Sequence, residues 1–288
     1  MAAGVTPRAQ DKPKACVIGW PVSHSRSPLI HGYWLDQLRI EGSYERAEVP
    51  AADFSSFMAN FARLGYSGGN VTLPHKEAAF HHCVRATETA CCLKAVNTLW
   101  FEGGQLQGDN TDVDGFTAAL DQEAPGWDLV PGHAVVIGAG GAARAIVYAL
   151  KQRGLRRILV VNRTKARAAA IAAMFGQPVE VADESALQQS LTDAALLVNT
   201  TSLGMAGQPA LSIDLAPLPL EATVSDIVYI PLETELIKAA RTQGLRAVPG
   251  ISMLLHQAVP GFERWFGVRP AVSTELRSLI EAEIRAAR

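Results

Sequence analysis

The chain has 288 residues, 48% of them hydrophobic, which is enough apolar surface for one large core or two modest ones and favours about two domains. Its 26 basic and 28 acidic residues give a formal net charge of −2, so neither nucleic acid nor an anionic membrane is expected as a partner. No apolar run reaches the roughly 18 residues of a membrane-spanning helix, and the first residues lack the apolar centre of a signal peptide.

Short β-rich runs alternate with helical stretches from residue 14 to about residue 112, which predicts a parallel sheet covered by helices. The pair Gly103-Gly104 between two apolar runs predicts a hairpin, and Asp53 is expected to cap a helix. The predicted strands are 15–19, 44–49, 69–73, 95–101 and 106–108, and the predicted helices are 28–38, 53–64 and 113–123.

A second series of strands and helices begins at residue 133, after two Pro-Gly pairs. Six strands in such a series match a dinucleotide-binding domain. After residue 250 the pattern is purely helical, at 251–266 and 273–287, with a kink or break expected at Pro260-Gly261. The six strands are predicted at 134–137, 157–161, 179–181, 195–200, 224–228 and 247–248.

The four cysteines have neither the density of a disulfide framework nor the spacing of a zinc site. His81, His82 and Cys83 lie near Cys91 and Cys92, but they lack the paired spacing of metal ligands. We therefore favour helix surface and core over a metal site for this cluster. Reduced thiols are typical of a cytoplasmic protein, which is the predicted location.

A glycine-rich turn stands between the first strand of the second series and the helix that follows. Gly138 permits a tight turn, and Gly140 lets a pyrophosphate approach the backbone amides at the start of the helix. The pattern predicts a phosphate-binding turn, although such glycine motifs also occur by chance in ordinary βαβ units.

The next strand ends in Asn162-Arg163-Thr164, with Arg167 one helical turn later, where an NAD-binding fold usually has an acidic residue. Guanidinium groups donate charge-assisted hydrogen bonds to a 2′-phosphate, which an acidic residue would repel. The predicted cofactor is therefore NADP(H). The alternative is a pair of solvated arginines.

Two polar motifs follow strands of the first series, at the edge where open parallel sheets bind ligands. Ser25 and Ser27 can donate neutral hydrogen bonds to a carboxylate, although Ser27 before Pro28 would equally suit a helix cap. Lys76, after Pro74, falls on a turn or a first helical residue, where an ammonium is unfavourable. That misfit indicates a role, although an exposed lysine is usually only solvated surface.

Asp112 precedes a predicted helix and either caps it or takes part in chemistry. Reducing a ketone to an alcohol needs a hydride donor and a proton donor for the developing alkoxide. A pair formed by Lys76 and Asp112 beside a nicotinamide would supply the proton. The second series of elements would then bind the hydride donor, and the first would supply Lys76 to a redox enzyme.

Together these motifs resemble those of shikimate dehydrogenases, from about Cys16 to the end of the chain. Several motifs in the same order are far more specific than any one of them. The shared motifs are Gly19-x-Pro21-x-x-His24-Ser25-x-Ser27-Pro28, Asn70-Val71-Thr72-x-Pro74-x-Lys76, Ala95-Val96-Asn97-Thr98, Asn110-Thr111-Asp112, Gly138-Ala139-Gly140-Gly141-Ala142, Asn162-Arg163-Thr164 and Asn199-Thr200-Thr201-Ser202-x-Gly204-Met205.

The resemblance implies a role for each motif. Lys76, assisted by Asp112, would take the C3 hydroxyl proton of shikimate as hydride leaves for NADP⁺. The substrate carboxylate would be held by Ser25, Ser27 and Tyr229, and the ring hydroxyls by Thr72, Asn97 and Gln257 with the catalytic pair. The implied cofactor-binding residues are Gly138, Ala139, Gly140, Gly141 and Ala142 at the pyrophosphate, Asn162, Arg163, Thr164 and Arg167 at the 2′-phosphate, and also Thr200, Ser202, Met205, Ile227 and Gly250.

The resemblance also implies a two-domain α/β fold. An N-terminal α/β substrate-binding domain of residues 1–112 would be completed by C-terminal helices in 251–288, and a Rossmann-like NADP-binding domain, 113–250, would be inserted between them. A monomer or a homodimer is expected. Lys94 and Ser252 stand where glycine is expected, which affects loop geometry but removes no catalytic group.

The implied activity is the reversible NADPH-dependent reduction of 3-dehydroshikimate to shikimate in aromatic amino-acid biosynthesis. One alternative is a quinate/shikimate dehydrogenase, but Ser25 and the arginine-bearing strand argue against it, since quinate-preferring relatives often have threonine and an acidic residue there. The other alternative is a non-catalytic NADP-responsive module, which would be expected to lack the Lys76 and Asp112 pair.

Overall fold

The computed structural model describes residues 12–287, which form two compact units. Unit 1 comprises residues 12–110 and 258–271, and unit 2 comprises residues 111–257 and 272–287. Each unit contains its own six-stranded sheet. The predicted functional division at residues 112 and 250 stays a prediction. The predicted substrate-binding domain included residues 251–257 and 272–287, whereas these helical residues belong to the compact unit 2.

The sheet of unit 1 is mixed. Its strands are β1 (Lys14–Gly19), β2 (Ser43–Glu48), β3 (Gly68–Val71), β4 (Arg85–Ala86), β5 (Thr98–Glu102) and β6 (Gln105–Asp109), in the order β2-β1-β3-β5-β6-β4. β1 is parallel to β2 and β3, whereas β5 is antiparallel to β3 and β6. The expected parallel sheet is therefore confirmed for β1, β2 and β3 and wrong for β5, which is antiparallel to both of its neighbours. A short turn can join only antiparallel strands, which accounts for the β5–β6 pair of the predicted hairpin. β4 is again parallel, to β6.

The turn between β5 and β6 is the predicted hairpin. Gly103 and Gly104 both have positive φ, +57° and +77°. Two consecutive residues with positive φ define a type I′ turn, whose twist matches that of the flanking strands. The glycine pair therefore fixes the register in which Thr98 lies opposite Asp109.

In unit 1 the predicted helix 28–38 is confirmed, whereas the predicted helix 53–64 is shorter in the structure. The helices of unit 1 are α1 (Ser27–Leu38), α2 (Phe54–Asn60), α3 (Lys76–His82), α4 (Glu88–Leu93) and α10 (Val259–Phe266). Asp53 is at the N-cap of α2, but its side chain makes no capping hydrogen bond, and the last turn of the predicted helix is a separate 3-10 turn. The apolar face of this segment buries Phe54, Met58 and Phe61 against the sheet.

The predicted helix 251–266 is broken. Its first half, α9 (Gly250–His256), ends before Gln257, and α10 restarts at Val259 with Pro260 in its first turn. Proline is tolerated there because the first helical N–H groups have no partner within the helix. The break therefore comes just before the proline. α10 packs on unit 1, where Trp265 Nε1 donates to the carbonyl of Leu99 over 2.7 Å.

The sheet of unit 2 is wholly parallel. Its strands are β7 (His133–Ile137), β8 (Ile158–Val161), β9 (Val179–Ala182), β10 (Ala194–Asn199), β11 (Thr223–Asp226) and β12 (Arg246–Val248), in the order β12-β11-β10-β7-β8-β9. Six parallel strands in this order form a Rossmann fold, with its switch point between β7 and β10. All six predicted strands are confirmed within a few residues.

Helices flank this sheet, and its central strands are continuous buried apolar runs, as expected of a sheet covered on both faces. The helices of unit 2 are α5 (Asp112–Glu123), α6 (Gly141–Gln152), α7 (Lys165–Phe175), α8 (Glu235–Thr242), α9 and α11 (Thr274–Ala286). α6 begins inside the glycine motif, at Gly141. None of the helices within residues 12–287 is long and apolar enough to cross a membrane.

Candidate functional site

The glycine turn of unit 2 lies at the switch point of its sheet. Gly138 follows β7 with φ +113°, and a Cβ there would collide with Thr200 Oγ1. Thr200, the residue after β10, donates its hydroxyl to the carbonyl of Ile137 over 2.7 Å. Because dinucleotides bind at the carboxyl ends of the two strands that flank a switch point, Gly138 and Thr200 stand where a cofactor would bind.

The space beside this turn fits a pyrophosphate. A Cβ at Gly140 would meet nothing within 4 Å, and one at Gly141 would meet only the end of Arg144, at 3.9 Å. The first turn of α6 contains no acidic residue, so its N–H groups and the helix dipole favour an anion. Ala139 and Ala142 complete this stretch and are partly exposed. The residues present therefore fit the diphosphate of a dinucleotide.

The predicted 2′-phosphate residues follow β8, the neighbour of β7 in the sheet. Asn162 Nδ2 donates to the carbonyl of Thr164 over 2.9 Å, which shapes the turn before α7. Arg163 and Thr164 are exposed in that turn, and Arg167 is exposed in the first turn of α7. Two guanidinium groups therefore reach solvent beside the glycine turn, where they can bind a phosphate.

The remaining predicted cofactor residues gather past β10 and β11. The backbone N–H of Ile227 donates to the carbonyl of Asn199 over 3.1 Å, and the N–H of Met205 donates to the carbonyl of Ser202 over 3.1 Å. A Cβ at Gly250 would collide with the carbonyl of Ile227, so the start of α9 lies directly on that loop. These residues are brought to one edge of the unit 2 sheet.

Asp226 holds these loops together, and the sequence analysis missed it. It is 1% exposed and accepts hydrogen bonds from Asn199 Nδ2, Val228 N and Thr234 Oγ1, over 3.0, 3.0 and 2.7 Å. Burial raises the pKa of Asp226, and the three donors partly offset that rise. An aspartate at the end of a buried strand was the available signal, since a buried charge requires partners.

Lys76 is the first residue of α3 in unit 1, and the preceding residue anchors it. His75 is 2% exposed, its Nε2 lies 2.6 Å from the carbonyl of Val49, and its ring stacks on Phe54 at 4.3 Å. The backbone N–H of His75 donates to the carbonyl of Thr72 over 2.9 Å. The turn that presents Thr72 and Lys76 is therefore fixed by a buried histidine, which was also missed.

Asn97 lies next to the Lys76 turn. The backbone N–H of Val96 donates to the carbonyl of Lys76 over 2.8 Å, and the N–H of Asn97 donates to the carbonyl of Asp109 over 2.9 Å. Asn97 was predicted inside a strand, but β5 begins one residue later, so Asn97 ends the preceding loop. The structure thus brings Lys76 and Asn97 together within unit 1.

Ser25 and Ser27 lie in the loop before α1 and at its first residue. Ser25 Oγ accepts the backbone N–H of Ser27 over 3.2 Å, and Arg46 Nη2 donates to the carbonyl of Ser25 over 2.8 Å. Ser27 is the first helical residue, and Arg26 is the N-cap, whose side chain makes no capping hydrogen bond. The capping alternative for Ser27 is therefore wrong, and Ser27 is itself buried.

A buried polar network lies behind these residues. The Tyr44 hydroxyl donates to Asn70 Oδ1 over 2.6 Å, and Asn70 Nδ2 donates to the Asn97 carbonyl and to Thr98 Oγ1, each over 3.2 Å. The ring of His31 stacks on Tyr44 at 4.0 Å and is fully buried. Tyr44 and Asn70 thereby tie α1 and β2 to the loop that carries Asn97.

His31 makes the stability of the protein depend on pH. Burial lowers the pKa of His31 to about 3, so the unfolded chain binds the proton first as pH falls. The contribution of neutral His31 to the free energy of unfolding is complete above about pH 6.5, the pKa of histidine in the unfolded chain. It is lost as the pH falls toward 3. Between roughly pH 7.5 and pH 5 this histidine should lower the free energy of unfolding by about 2 kcal/mol. We expect His31→Phe to lack that decrease when unfolding in urea is measured at both pH values.

The control for this prediction is His81→Gln, because His81 is an exposed histidine on α3. That variant should keep the pH dependence of the parent chain. Equal loss of stability on acidification in His31→Phe and in the parent chain would contradict the assignment.

Of the substrate residues predicted in unit 2, Asp112 and Gln257 lie at one end of the α5–α9 pair. Asp112 is the first residue of α5, and Thr111 stands at its N-cap. Thr111 Oγ1 donates to the carbonyl of Gln257 over 2.8 Å, which brings Asp112 near the end of α9. Tyr229 lies in the loop after β11. The pairing of Lys76 with Asp112, and all assigned roles, stay predictions.

Comparison with known families finds three matching segments along the chain. Residues 17–99 match the shikimate dehydrogenase substrate-binding domain, residues 122–206 match shikimate/quinate 5-dehydrogenase, and residues 250–274 match the shikimate 5′-dehydrogenase C-terminal domain. A shikimate dehydrogenase (NADP⁺) from Methylocella silvestris is 59% identical over 275 residues, which cover 96% of this chain and 98% of the relative. The chain belongs to the shikimate dehydrogenase family.

Solved structures of shikimate dehydrogenase relatives have the same fold. The shikimate 5-dehydrogenase of Thermus thermophilus, in complex with NADP(H) and shikimate, matches with a TM-score of 0.81 and 36% identity over 96% of this chain and 100% of that one. A quinate dehydrogenase from Corynebacterium glutamicum in complex with NAD matches with a TM-score of 0.87 and 30% identity, covering 94% and 99%. The two-domain α/β fold is confirmed.

The histidine and cysteine cluster of this shikimate dehydrogenase family member is part of helices α3 and α4. His81 and His82 end α3, and Cys91 and Cys92 lie on α4. Within residues 12–287, no group of three or more histidine, cysteine or acidic side chains is arranged to hold a metal ion.

Lys94 departs from the glycine expected in this family, and the structure shows the physical consequence. It is the C-cap of α4 with φ +51°, a left-handed conformation that disfavours a Cβ. We expect Lys94→Gly to raise the free energy of unfolding by about 1 kcal/mol in denaturant titrations. In Lys94→Ala, which keeps the Cβ, the free energy of unfolding should rise much less. An equal gain in both variants would show that the left-handed backbone is not the cause.

Proposed function

We propose that this chain is an NADP-dependent shikimate dehydrogenase, which catalyses the reversible reduction of 3-dehydroshikimate to shikimate in aromatic amino-acid biosynthesis. The observation that carries the proposal is the match to a shikimate dehydrogenase (NADP⁺) that is 59% identical over 96% of this chain. The NADP(H) and shikimate bound in the Thermus relative supply the ligand classes.

In this proposal the bound coenzyme supplies the hydride acceptor, and the protein supplies binding and proton transfer. Lys76 accepts the C3 hydroxyl proton during oxidation and returns it during reduction, and Asp112 orients Lys76 and balances its charge. Neutral donors from Ser25 and Ser27, with Tyr229, hold the carboxylate. The ring hydroxyls are held by Thr72, Asn97 and Gln257.

The cofactor-binding part of the proposal divides into three regions of unit 2. Residues 138–142 hold the pyrophosphate at the start of α6, where amides and helix dipole favour an anion. The polar turn 162–164 and Arg167 hold the 2′-phosphate. The remaining cofactor contacts are assigned to Thr200, Ser202, Met205, Ile227 and Gly250. Functionally, residues 113–250 serve the cofactor and residues 1–112 with 251–288 serve the substrate.

A quinate dehydrogenase is the second candidate, because the Corynebacterium quinate dehydrogenase is also similar to this chain. Arg163 and Arg167 favour NADP(H) over the NAD found in that structure, since a guanidinium gains nothing from an unphosphorylated ribose. Ser25 favours shikimate. We therefore rank shikimate and NADP⁺ first.

Location and assembly complete the proposal. We place the protein in the cytoplasm, because all four cysteines are free thiols. We assign it as a monomer or a homodimer, with a small molecule as its partner. Light scattering of the purified chain distinguishes the two assembly states.

The proposal is tested with four reactions, in which shikimate or quinate is offered with NADP⁺ or NAD⁺ and reduced coenzyme is followed by absorbance. The expected result is the highest kcat/KM with shikimate and NADP⁺. Equal kcat/KM for quinate would favour the second candidate. No turnover in any reaction would favour a non-catalytic NADP-responsive module.

A further inference from the structure

Ser252 is buried in α9 at a position where the family motif favours glycine. Its side chain is 2% exposed and donates to Glu123 Oε1 at the end of α5. Arg277 of α11 donates from Nη1 to the same carboxylate oxygen over 2.5 Å and to Ser252 Oγ over 3.1 Å. Three helices of unit 2 therefore meet at one carboxylate.

This cluster is an ion pair with little solvent around it. The side chains of Glu123 and Arg277 are 17% and 27% exposed. Arg277 Nε also contacts Glu281 over 3.0 Å. Burial alone would lower the pKa of Arg277, but hydrogen bonds and attraction from Glu123 and Glu281 outweigh it, so the pKa is raised. Removing Glu123 would therefore leave a partly buried guanidinium with only one of its two acidic partners.

The opposite end of α9 contacts the start of α5. A Cβ on Gly115 would lie 2.5 Å from Gln257 Cβ and 2.8 Å from Gln257 Cα, so the helices touch there without an intervening side chain. The backbone N–H of Gln257 donates to the carbonyl of Met253 over 3.0 Å, and its carbonyl accepts from Thr111. Gln257 therefore moves with α9.

At its first residue, α9 lies on backbone rather than on side chains. Gly250 contacts the carbonyls of Ile227 and Val228 so closely that no Cβ fits. The helix is only two turns long, so the contacts at Gly250, Ser252 and Gln257 determine where it sits. Among these three, only Ser252 is held by a charged side chain.

We propose that Glu123 and Ser252 are positioning residues for Gln257, holding α9 along α5 so that Gln257 stays at the start of α5. This rests on the proposed function, in which Gln257 binds a ring hydroxyl of the substrate. The C-terminal helix α11 takes part through Arg277, which completes the carboxylate contact. None of these three side chains touches the substrate in the proposal.

The test compares Glu123→Gln with the parent chain by steady-state kinetics, well below the unfolding temperature. We expect KM for shikimate to rise about five- to tenfold, the equivalent of one weakened hydrogen bond, with KM for NADP⁺ changed less than about twofold. Ser252→Ala keeps the ion pair between Arg277 and Glu123, so its KM for shikimate should rise only about two- to threefold. This milder variant keeps the test valid if Glu123→Gln folds poorly.

The matched control is Asp128→Asn, which removes a comparable ion pair in the same unit. Arg153 Nη1 lies 3.0 Å from Asp128 Oδ2, and the Asp128 side chain is 23% exposed. It should lower the melting temperature as Glu123→Gln does, but leave KM for shikimate unchanged. If Glu123→Gln also lowers only the melting temperature, the network is purely structural and the proposal is overturned.

Hydrogen exchange separates this proposal from the proposed function. In Glu123→Gln, but not in Asp128→Asn, the amides of residues 254–257 should exchange faster. If the parent chain does not oxidise shikimate, the proposed function fails, and the exchange result still decides whether Glu123 anchors α9. Unchanged exchange in both variants would overturn the anchoring role as well.

Discussion

Replacing Lys76 with alanine is expected to lower kcat for shikimate oxidation about 10³-fold while leaving the protein folded. The magnitude is that of a lost general base, which contributes typically about 10² to 10⁴ in rate. Lys76 stands at the first turn of α3, where its ammonium opposes the helix dipole, so its removal should not destabilise the helix. Coenzyme affinity should also be unchanged, since the predicted NADP⁺ residues all lie in unit 2.

Chemical rescue makes this test specific. If Lys76 transfers the proton, added methylamine should restore part of the kcat of Lys76→Ala in a concentration-dependent manner, because a small amine can occupy the vacated space. The control is Lys238→Ala, which removes an exposed lysine from α8 in unit 2 and should leave kcat unchanged. Near-normal kcat in Lys76→Ala would exclude the assigned mechanism.

The unit 2 sheet was predictable because its signals are local. Buried parallel strands are continuous apolar runs, and a glycine turn after β7 marks the switch point of the sheet. Pro74 also predicted that Lys76 falls on a turn or a first helical residue, and Lys76 is the first residue of α3. Short-range patterns of this kind depend on a few neighbouring residues, which a single sequence contains in full.

The errors in unit 1 have a different origin. Asn97 was assigned to a strand because it adjoins an apolar run, but its carbonyl accepts from Val71 and Asn70, so it closes a loop instead. The mixed sheet follows from which strands become neighbours, a property of long-range pairing. Boundary positions of this kind depend on tertiary hydrogen bonds that periodicity does not contain.

The missed residues share one property, which is that each supports a predicted site residue. His75 fixes the turn before Lys76, and Asp226 accepts three hydrogen bonds from the loops that carry other predicted cofactor-binding residues. Such residues are single polar side chains inside apolar surroundings. Sequence motifs predict candidate site residues, whereas the partners that position them become visible only with coordinates.

Removing Arg163 and Arg167 together is expected to change coenzyme selectivity by about 10²-fold. Each guanidinium is exposed beside the turn after β8 and can donate charge-assisted hydrogen bonds to the 2′-phosphate. We assign roughly tenfold to each, at the low end for a charged hydrogen bond because both side chains are solvated. The double variant Arg163→Ala/Arg167→Ala should therefore raise KM for NADP⁺ about 10²-fold and leave KM for NAD⁺ nearly unchanged.

Ionic strength provides an independent readout of the same interaction. Added salt screens exposed charges, so KM for NADP⁺ should rise with salt in the parent chain and be nearly constant in the double variant. Arg156→Ala is the matched control, because Arg156 is exposed just before β8, at the opposite end of the strand. Its NADP⁺ kinetics should equal those of the parent chain. If the double variant instead weakens NADP⁺ and NAD⁺ equally, the arginines do not read the 2′-phosphate, and the preference for NADP⁺ requires another cause.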